Sequence, residues 1–268
     1  MNYLKIFLYF TTILSIQSLN LNTPIIINKP AGYYGFYTLG VTAFIKKNYN
    51  IENYEFFGTS AGAWNSLFSC YQGSSSLFMK RLLNDVDHLE EPTLNEVQKC
   101  LKNSLLKNTK EEDYDLKKLN IGVTVAKKIN RIEGILYNDF NNLEDAIDCC
   151  IASSHIPLVT GGLINKYKGL LSFDGGLSNF DNTDLIKDRE IIFEINAGLW
   201  NHNPELQGDL EKTSPSMLQS ALYPDKISFS SINLYNAGWR DSCKNKYALD
   251  TIFKPKTKKL NVKISNLK

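Results

Sequence analysis

The five residues Gly58-Thr59-Ser60-Ala61-Gly62 constrain this chain more than any other stretch. They stand between an apolar β-like run, Ile51 to Phe57, and a helical one, Ala61 to Tyr71. That strand-turn-helix context is what gives a G-x-S-x-G pattern chemical meaning. A serine on so sharp a turn needs glycine on both sides, because side chains there would collide as the backbone reverses. The turn exposes the hydroxyl at the top of a sheet, with the positive end of the following helix beside it. Ser60 is thus a candidate nucleophile, with Gly58 and Gly62 as its motif glycines. A Gly-rich connection without chemistry is the alternative reading.

The surrounding pattern alternates strand and helix. Pro24-Ile-Ile-Ile-Asn28 is a β-branched run that reads as a buried strand, and Phe36 to Lys47 places apolar residues at helical spacing. A charged, helical middle from Ser76 to Leu106 precedes a strand pair at Leu119 to Lys127 and Ile132 to Tyr137. Asn142 to Ser153 is an amphipathic helix, Leu170 to Phe173 a short strand and Glu190 to Asn196 a β run. The alternation predicts an α/β fold with a mainly parallel sheet covered by helices. A chain of 268 residues, 43% of them hydrophobic, buries an ordinary core, and no internal repeat is visible.

Charge and composition exclude several classes. Thirty basic against 28 acidic residues leave a net charge of +2, which argues against a nucleic-acid partner. Five cysteines, at 70, 100, 149, 150 and 243, form no CxxC, so neither a zinc site nor a disulfide framework is expected. Cys149 and Cys150 fall in an apolar helical run, as buried free thiols do. Only three histidines, His88, His155 and His202, are available to any catalytic scheme. No phosphate loop, metal cluster or calcium loop is present in the pattern, so hydrolysis without metal or organic cofactor is expected.

Two further loops carry chemistry-bearing patterns. Pro30-Ala31-Gly32-Tyr33-Tyr34-Gly35 follows the first strand, and successive backbone N–H groups in such a turn can converge on an anion. Pro30 has no N–H, so the donors fall to Ala31, Gly32 or their neighbours; a tight turn is the alternative. Asp174-Gly175-Gly176 ends the strand Leu170 to Phe173, where an aspartate suits a general base and an Asp-Gly β-turn is the plain alternative.

Taken together, the Gly loop, the G-x-S-x-G elbow and the later Asp-Gly-Gly resemble the patatin-like phospholipase family. The likeness extends to Gly40-Val41, Ala61-Gly62-Ala63 and Ala152-Ser-Ser-His-Ile-Pro157, and covers Thr23 to Asn196. Within the family, the aromatic Gly loop is most similar to the animal-type acylglycerol and phospholipid lipases. The resemblance implies a three-layer α/β/α fold and a serine-aspartate dyad with no histidine between its members. Ser60 is then the nucleophile and Asp174 the general base, with the amides of Ala31 and Gly32 forming the oxyanion hole and Gly35, Gly58, Gly62, Gly175 and Gly176 as motif glycines. Pro30 stands where the family has its first glycine, and Tyr34 where many members carry Arg or Lys. The rival scheme is a Ser-Asp-His triad, for which His202 is the one histidine after Asp174.

The expected substrate is a long-chain acyl ester of a glycerolipid or phospholipid at a membrane or lipid-droplet surface. Tyr33, Tyr34, Phe36, Tyr37, Phe57 and Trp64 are candidate acyl-chain lining or ordinary core. A catalytically impaired lipid-binding homologue and a transacylase that uses the same Ser60 remain alternatives.

The termini divide the chain further. Residues 1–18 hold the 11-residue apolar stretch Ile6 to Ile16 behind a single lysine, which suits a signal peptide, an N-terminal membrane-surface anchor or a packed segment. A signal implies the secretory pathway or the ER; without one, a cytoplasmic enzyme peripheral on lipid surfaces is expected. The chain has no N-x-[ST] sequon. Residues 23–253 form the acyl hydrolase domain. Residues 254–268 form a basic tail with six lysines and no acid, which leaves a net −4 on the remainder. Such a tail binds anionic membranes or stays solvated.

Overall fold

In a computed structural model, the protein is described over residues 23–73, 75–90, 93–128, 131–176, 182–200 and 230–256. Four parallel strands carry the fold: β1 (Ile25–Asn28), β2 (Glu55–Gly58), β3 (Leu119–Lys128) and β7 (Ile191–Ile195), in the spatial order β3-β2-β1-β7. β4 (Arg131–Tyr137), β6 (Leu170–Phe173) and β5 (Lys166–Tyr167) add antiparallel pairs around β3, which makes the sheet mixed. Every residue of β1 is buried, as its unbroken apolar run requires of a central parallel strand.

Period-two alternation sorts the strand side chains to two faces. Ile26, Phe56, Leu119, Ile121, Val123 and Val125 join the main core under the helices. Ile25, Ile27 and Phe57 point the other way, against Ile186 and Leu185 of a helical turn at Asn182–Ile186. Cys149 and Cys150 are buried in the main core, and burial pushes both thiols up.

Helix α1 (Gly35–Asn48) follows β1, and α2 (Ala61–Cys70) follows β2. The charged middle forms two helices rather than one, α3 (Ser75–Asp87) and α4 (Leu94–Asn108). The Thr93 side chain starts the second by accepting the Glu96 amide at 3.2 Å. Asn142 caps α5 (Leu143–Ser153) in the same way, accepting the Asp145 amide at 2.9 Å.

The sequence pattern assigns no element to the segment that forms α6 (Ser231–Lys244) and α7 (Lys246–Ile252). α6 lies against α1 at backbone contact: a Cβ on Gly40 would come within 2.0 Å of the Tyr235 carbonyl oxygen. The Tyr37 hydroxyl donates to Asp241 Oδ2 at 2.7 Å, and Asp87 of α3 accepts the Ser231 amide at the α6 N-terminus, where a carboxylate is favoured. α6 therefore braces two helices that wall the site. No helix of the described residues is long and apolar enough to cross a membrane.

The 1–18 segment lies outside the described residues. Of the basic C-terminal segment, Lys254 to Lys256 are pinned to the end of α1, the Lys254 carbonyl accepting from the Asn50 amide at 2.9 Å and the Lys256 amide donating to Asn48 at 2.8 Å. Lys258, Lys259, Lys263 and Lys268 lie outside the described residues.

Candidate active site

Two strands meet end to end along β3. β4 pairs with β3 from Ile121 to Lys128, so the opposite edge of β3 is left to two partners. β2 takes its start, with Gly58 beside Ile121, and β6 takes a later stretch, with Phe173 beside Thr124. β2 runs parallel to β3 and β6 antiparallel, so their C-terminal ends point at each other across Gly122 and Val123. Three residues of strand span about 10 Å. Into that gap turn Thr59-Ser60 from one side and Asp174-Gly175 from the other.

Ser60 occupies the turn between β2 and α2 with φ 55° and ψ −131°, a conformation that an L-residue adopts only when its surroundings impose it. The flanking glycines are required by backbone contact. A Cβ on Gly58 would lie 2.2 Å from the Gly62 carbonyl oxygen, and one on Gly62 would lie 2.0 Å from that of Asn28. Asn28 is itself fixed, its Nδ2 donating to Ser66 at 3.0 Å and its Oδ1 accepting from Thr42 at 3.1 Å.

The Ser60 hydroxyl donates to Asp174 Oδ2 at 2.6 Å, in the range of a charge-assisted O–H···O⁻ bond. The other carboxylate oxygen accepts the Gly176 amide at 2.7 Å. Both residues are buried, at 8% and 5% exposure. Burial raises the Asp174 pKa from 3.8 to about 6, opposed by the bonds from Ser60 and Gly176. Gly175 packs against β3, where a Cβ would stand 2.6 Å from the Gly122 carbonyl oxygen.

The last turn of α5 clamps both loops. The Ser153 hydroxyl accepts the Ser60 amide at 2.9 Å and donates to the Gly122 carbonyl at 2.7 Å. The Ser153 carbonyl, an orphan of the helix end, accepts the Gly175 amide at 2.8 Å, and the His155 carbonyl accepts the Asp174 amide at 2.7 Å. The sequence pattern gives Ser153 no role. It lies in the run Ala152 to Pro157 that carries the family resemblance, but its function depends on which strands it bridges.

His155 contributes its backbone to the site and not its ring. The imidazole is buried, and burial lowers its pKa. His202 lies outside the described residues.

A cavity of about 340 Å³ opens on Ser60 and Asp174 and is lined at this end by Pro30, Ala31, Gly32 and Gly176. Gly32 has φ +52°, and the amides of Ala31, Gly32 and Ala61 donate to no protein acceptor among the described residues. Gly35 opens α1, and its carbonyl accepts from Asn65 of α2 at 3.2 Å. Beyond the polar end, the walls are apolar: Phe36 and Leu39 of α1, Trp64 and Phe68 of α2, and a roof from α3 and α4 that includes Met79, Leu82, Val97 and Leu101.

Of the aromatic candidates, Tyr33, Phe36 and Trp64 line this cavity. Tyr34, Tyr37 and Phe57 do not. Tyr37 turns to Asp241 of α6 and Phe57 to the far face of the sheet. The α3–α4 roof is not legible in the sequence, because an apolar stripe on a charged helix marks burial without saying against what.

No family model matches the chain. It is similar to the 1-acylglycerol-3-phosphate O-acyltransferase Pnpla3 of Mus musculus, 23% identical over 170 residues that cover 60% of this chain and 40% of that one. The human PNPLA3 of the same description is 26% identical over 172 residues, 60% of this chain and 35% of the relative. The chain thus spans about two fifths or less of the length of these relatives. The crystal structure of VipD from Legionella pneumophila overlaps 88% of this chain and 68% of its own, with 12% identity and a TM-score of 0.37. The weak similarity to the mouse and human acyltransferases supports the patatin-like family for this chain.

Proposed function

We propose that the chain is a patatin-like lipid acyl hydrolase that cleaves long-chain acyl esters of glycerolipids through Ser60 and Asp174. The observation that carries this reading is the 2.6 Å bond from the Ser60 hydroxyl to a buried carboxylate at the end of an apolar cavity. Ser60 Oγ attacks the ester carbonyl carbon as its proton passes to Asp174 Oδ2. The oxyanion forms beside the amides of Ala31 and Gly32, at the positive end of α2. Collapse of the tetrahedral species expels the alcohol, which takes the proton from Asp174 and leaves an acyl-Ser60. Water then attacks the acyl carbon, Asp174 again takes the proton, and the fatty acid leaves as Ser60 Oγ is reprotonated. A carboxylate base with a pKa near 6 abstracts the proton more readily than an ordinary one, which is why its burial supports this role.

A second reading is favoured by the names of the two relatives, both O-acyltransferases. In it the acyl group passes from Ser60 to an acceptor alcohol such as that of a lysolipid, by the same steps with the acceptor in place of water.

Fluorophosphonate labelling of the wild type and of Ser60→Ala, Asp174→Asn and His202→Ala tests the dyad. Label is expected on the wild type and His202→Ala, and on neither of the others. Loss in His202→Ala with labelling retained in Asp174→Asn would replace the dyad with a histidine-based scheme. Product analysis with and without a lysolipid acceptor separates hydrolysis from transfer.

A further inference from the structure

Three of the large apolar side chains stand out in solvent: Leu158 is 76% exposed, Leu163 64% and Ile164 65%. All belong to one loop, residues 156–164, between α5 and β5. Isolated exposed apolar side chains need no explanation, but three in one short loop do.

The loop is held in shape. The Leu158 amide donates to the Gly162 carbonyl at 3.3 Å, and Thr160 Oγ1 accepts the Ile156 amide at 2.8 Å and donates to the Ser154 carbonyl at 3.0 Å. Leu158 has φ +65°, an unfavourable value for a bulky residue, and with it the side chain points into solvent. Ile156 and Thr160 of the same loop line the cavity that contains Ser60. Ile156 and Thr160 thus wall the cavity, while Leu158, Leu163 and Ile164 of the same loop stand in solvent.

We propose that residues 156–164 insert into a lipid surface, with Leu158, Leu163 and Ile164 entering the acyl region. The assignment rests on the acyl-hydrolase reading for its purpose: a chain drawn from the surface would reach Ser60 along apolar walls without crossing water. Charge agrees with this partner. From Cys149 to Phe173 the sequence has two lysines and no acid; Lys168 pairs with Asp145 at 3.6 Å, and Lys166 next to the loop is exposed and forms no ion pair among the described residues. Shallow burial of a few large apolar side chains, with lysines at headgroup level, is how a soluble protein holds to a bilayer interface.

The test is co-sedimentation of the full-length Ser60→Ala protein with phosphatidylcholine vesicles, whose neutral surface separates apolar insertion from attraction of the basic tail. The triple variant Leu158→Asp, Leu163→Asp, Ile164→Asp in that background is expected to bind at least about tenfold more weakly. Its melting midpoint serves as the check on folding. As an independent measurement, Leu163→Trp is expected to gain fluorescence that brominated phosphatidylcholine quenches. Equal vesicle binding by the triple variant, or a tryptophan at 163 that is not quenched, overturns the proposal. So does loss of a soluble protein partner with vesicle binding unchanged. Hydrolysis of a soluble short-chain ester by Ser60-intact protein reports on the enzymatic reading separately: loop-dependent vesicle binding without hydrolysis sinks that reading and not the loop.

Discussion

The Ser153 hydroxyl stands between Ser60 and the sheet, accepting the Ser60 amide at 2.9 Å while donating to the Gly122 carbonyl at 2.7 Å. It is wholly buried, so Ser153→Ala leaves an amide and a carbonyl unpaired, at about 1–3 kcal/mol each. The melting midpoint should fall. For a soluble ester kcat should drop about tenfold with KM little changed, since loosening the turn that carries the proposed nucleophile affects the reaction more than binding. An unaltered kcat in the less stable variant would reduce Ser153 to a support of the fold.

The proposed base, Asp174, would set the acid limb of the pH profile. A base acts only when ionised, and burial raises the Asp174 pKa to about 6. The kcat/KM for a soluble ester is therefore expected to fall below pH 6 with a slope of one. A profile flat down to about pH 4, the ordinary carboxylate range, would remove Asp174 from that role.

The same shift has a stability consequence of opposite sense. A carboxyl whose pKa is raised in the fold stabilises fully below its unfolded value of 3.8, and that contribution is lost as pH rises through about 6. At pH 7 the native state carries the ionised group at a cost of roughly 3 kcal/mol. Asp174→Asn should thus be inactive yet melt higher than wild type at about pH 7.5, with the gain gone at about pH 3.5. Calorimetry at both values checks the sign.

Glycine positions separate sharply by what surrounds them. Gly62→Ala drives a methyl to 2.0 Å from the Asn28 carbonyl oxygen, where only backbone movement relieves it, and should cost at least about 3 kcal/mol in urea unfolding. Gly162→Ala meets nothing within 4 Å and should stay within about 0.5 kcal/mol.

The roof of the cavity should set acyl-chain preference. Val97→Trp adds bulk to the α4 wall, so the ratio of long-chain to short-chain ester kcat/KM is expected to fall about tenfold, measured with a p-nitrophenyl ester series. An unchanged ratio would place the acyl chain elsewhere.

Much of the scaffold is legible in the sequence. β1, β3, β4, β6 and β7 and helices α1, α2 and α5 fall where alternation and apolar spacing put them, because each is decided by local burial pattern and capping residues such as Asn142. β2 starts at Glu55 and not at Ile51, because a turn at Glu52-Asn53 intervenes. The middle splits into α3 and α4. α6 is not legible, because its apolar stripe is interrupted by Asn, Arg, Asp and Gly, and the close approach of Gly40 to Tyr235 is invisible one helix at a time.

The sequence alone determined which groups are available for chemistry: a serine on a turn that only glycine neighbours allow, an aspartate at a strand end, an amide-rich loop after the first strand. These are local demands of the backbone, written in adjacent residues. Tertiary structure decided the rest. Ser60 and Asp174 are 114 positions apart, and their 2.6 Å contact exists because β2 and β6 share one edge of β3 and stop short of each other there, with α5 holding both ends. Register and the covering of one face by another depend on the packing of distant segments, which no run of neighbouring residues encodes.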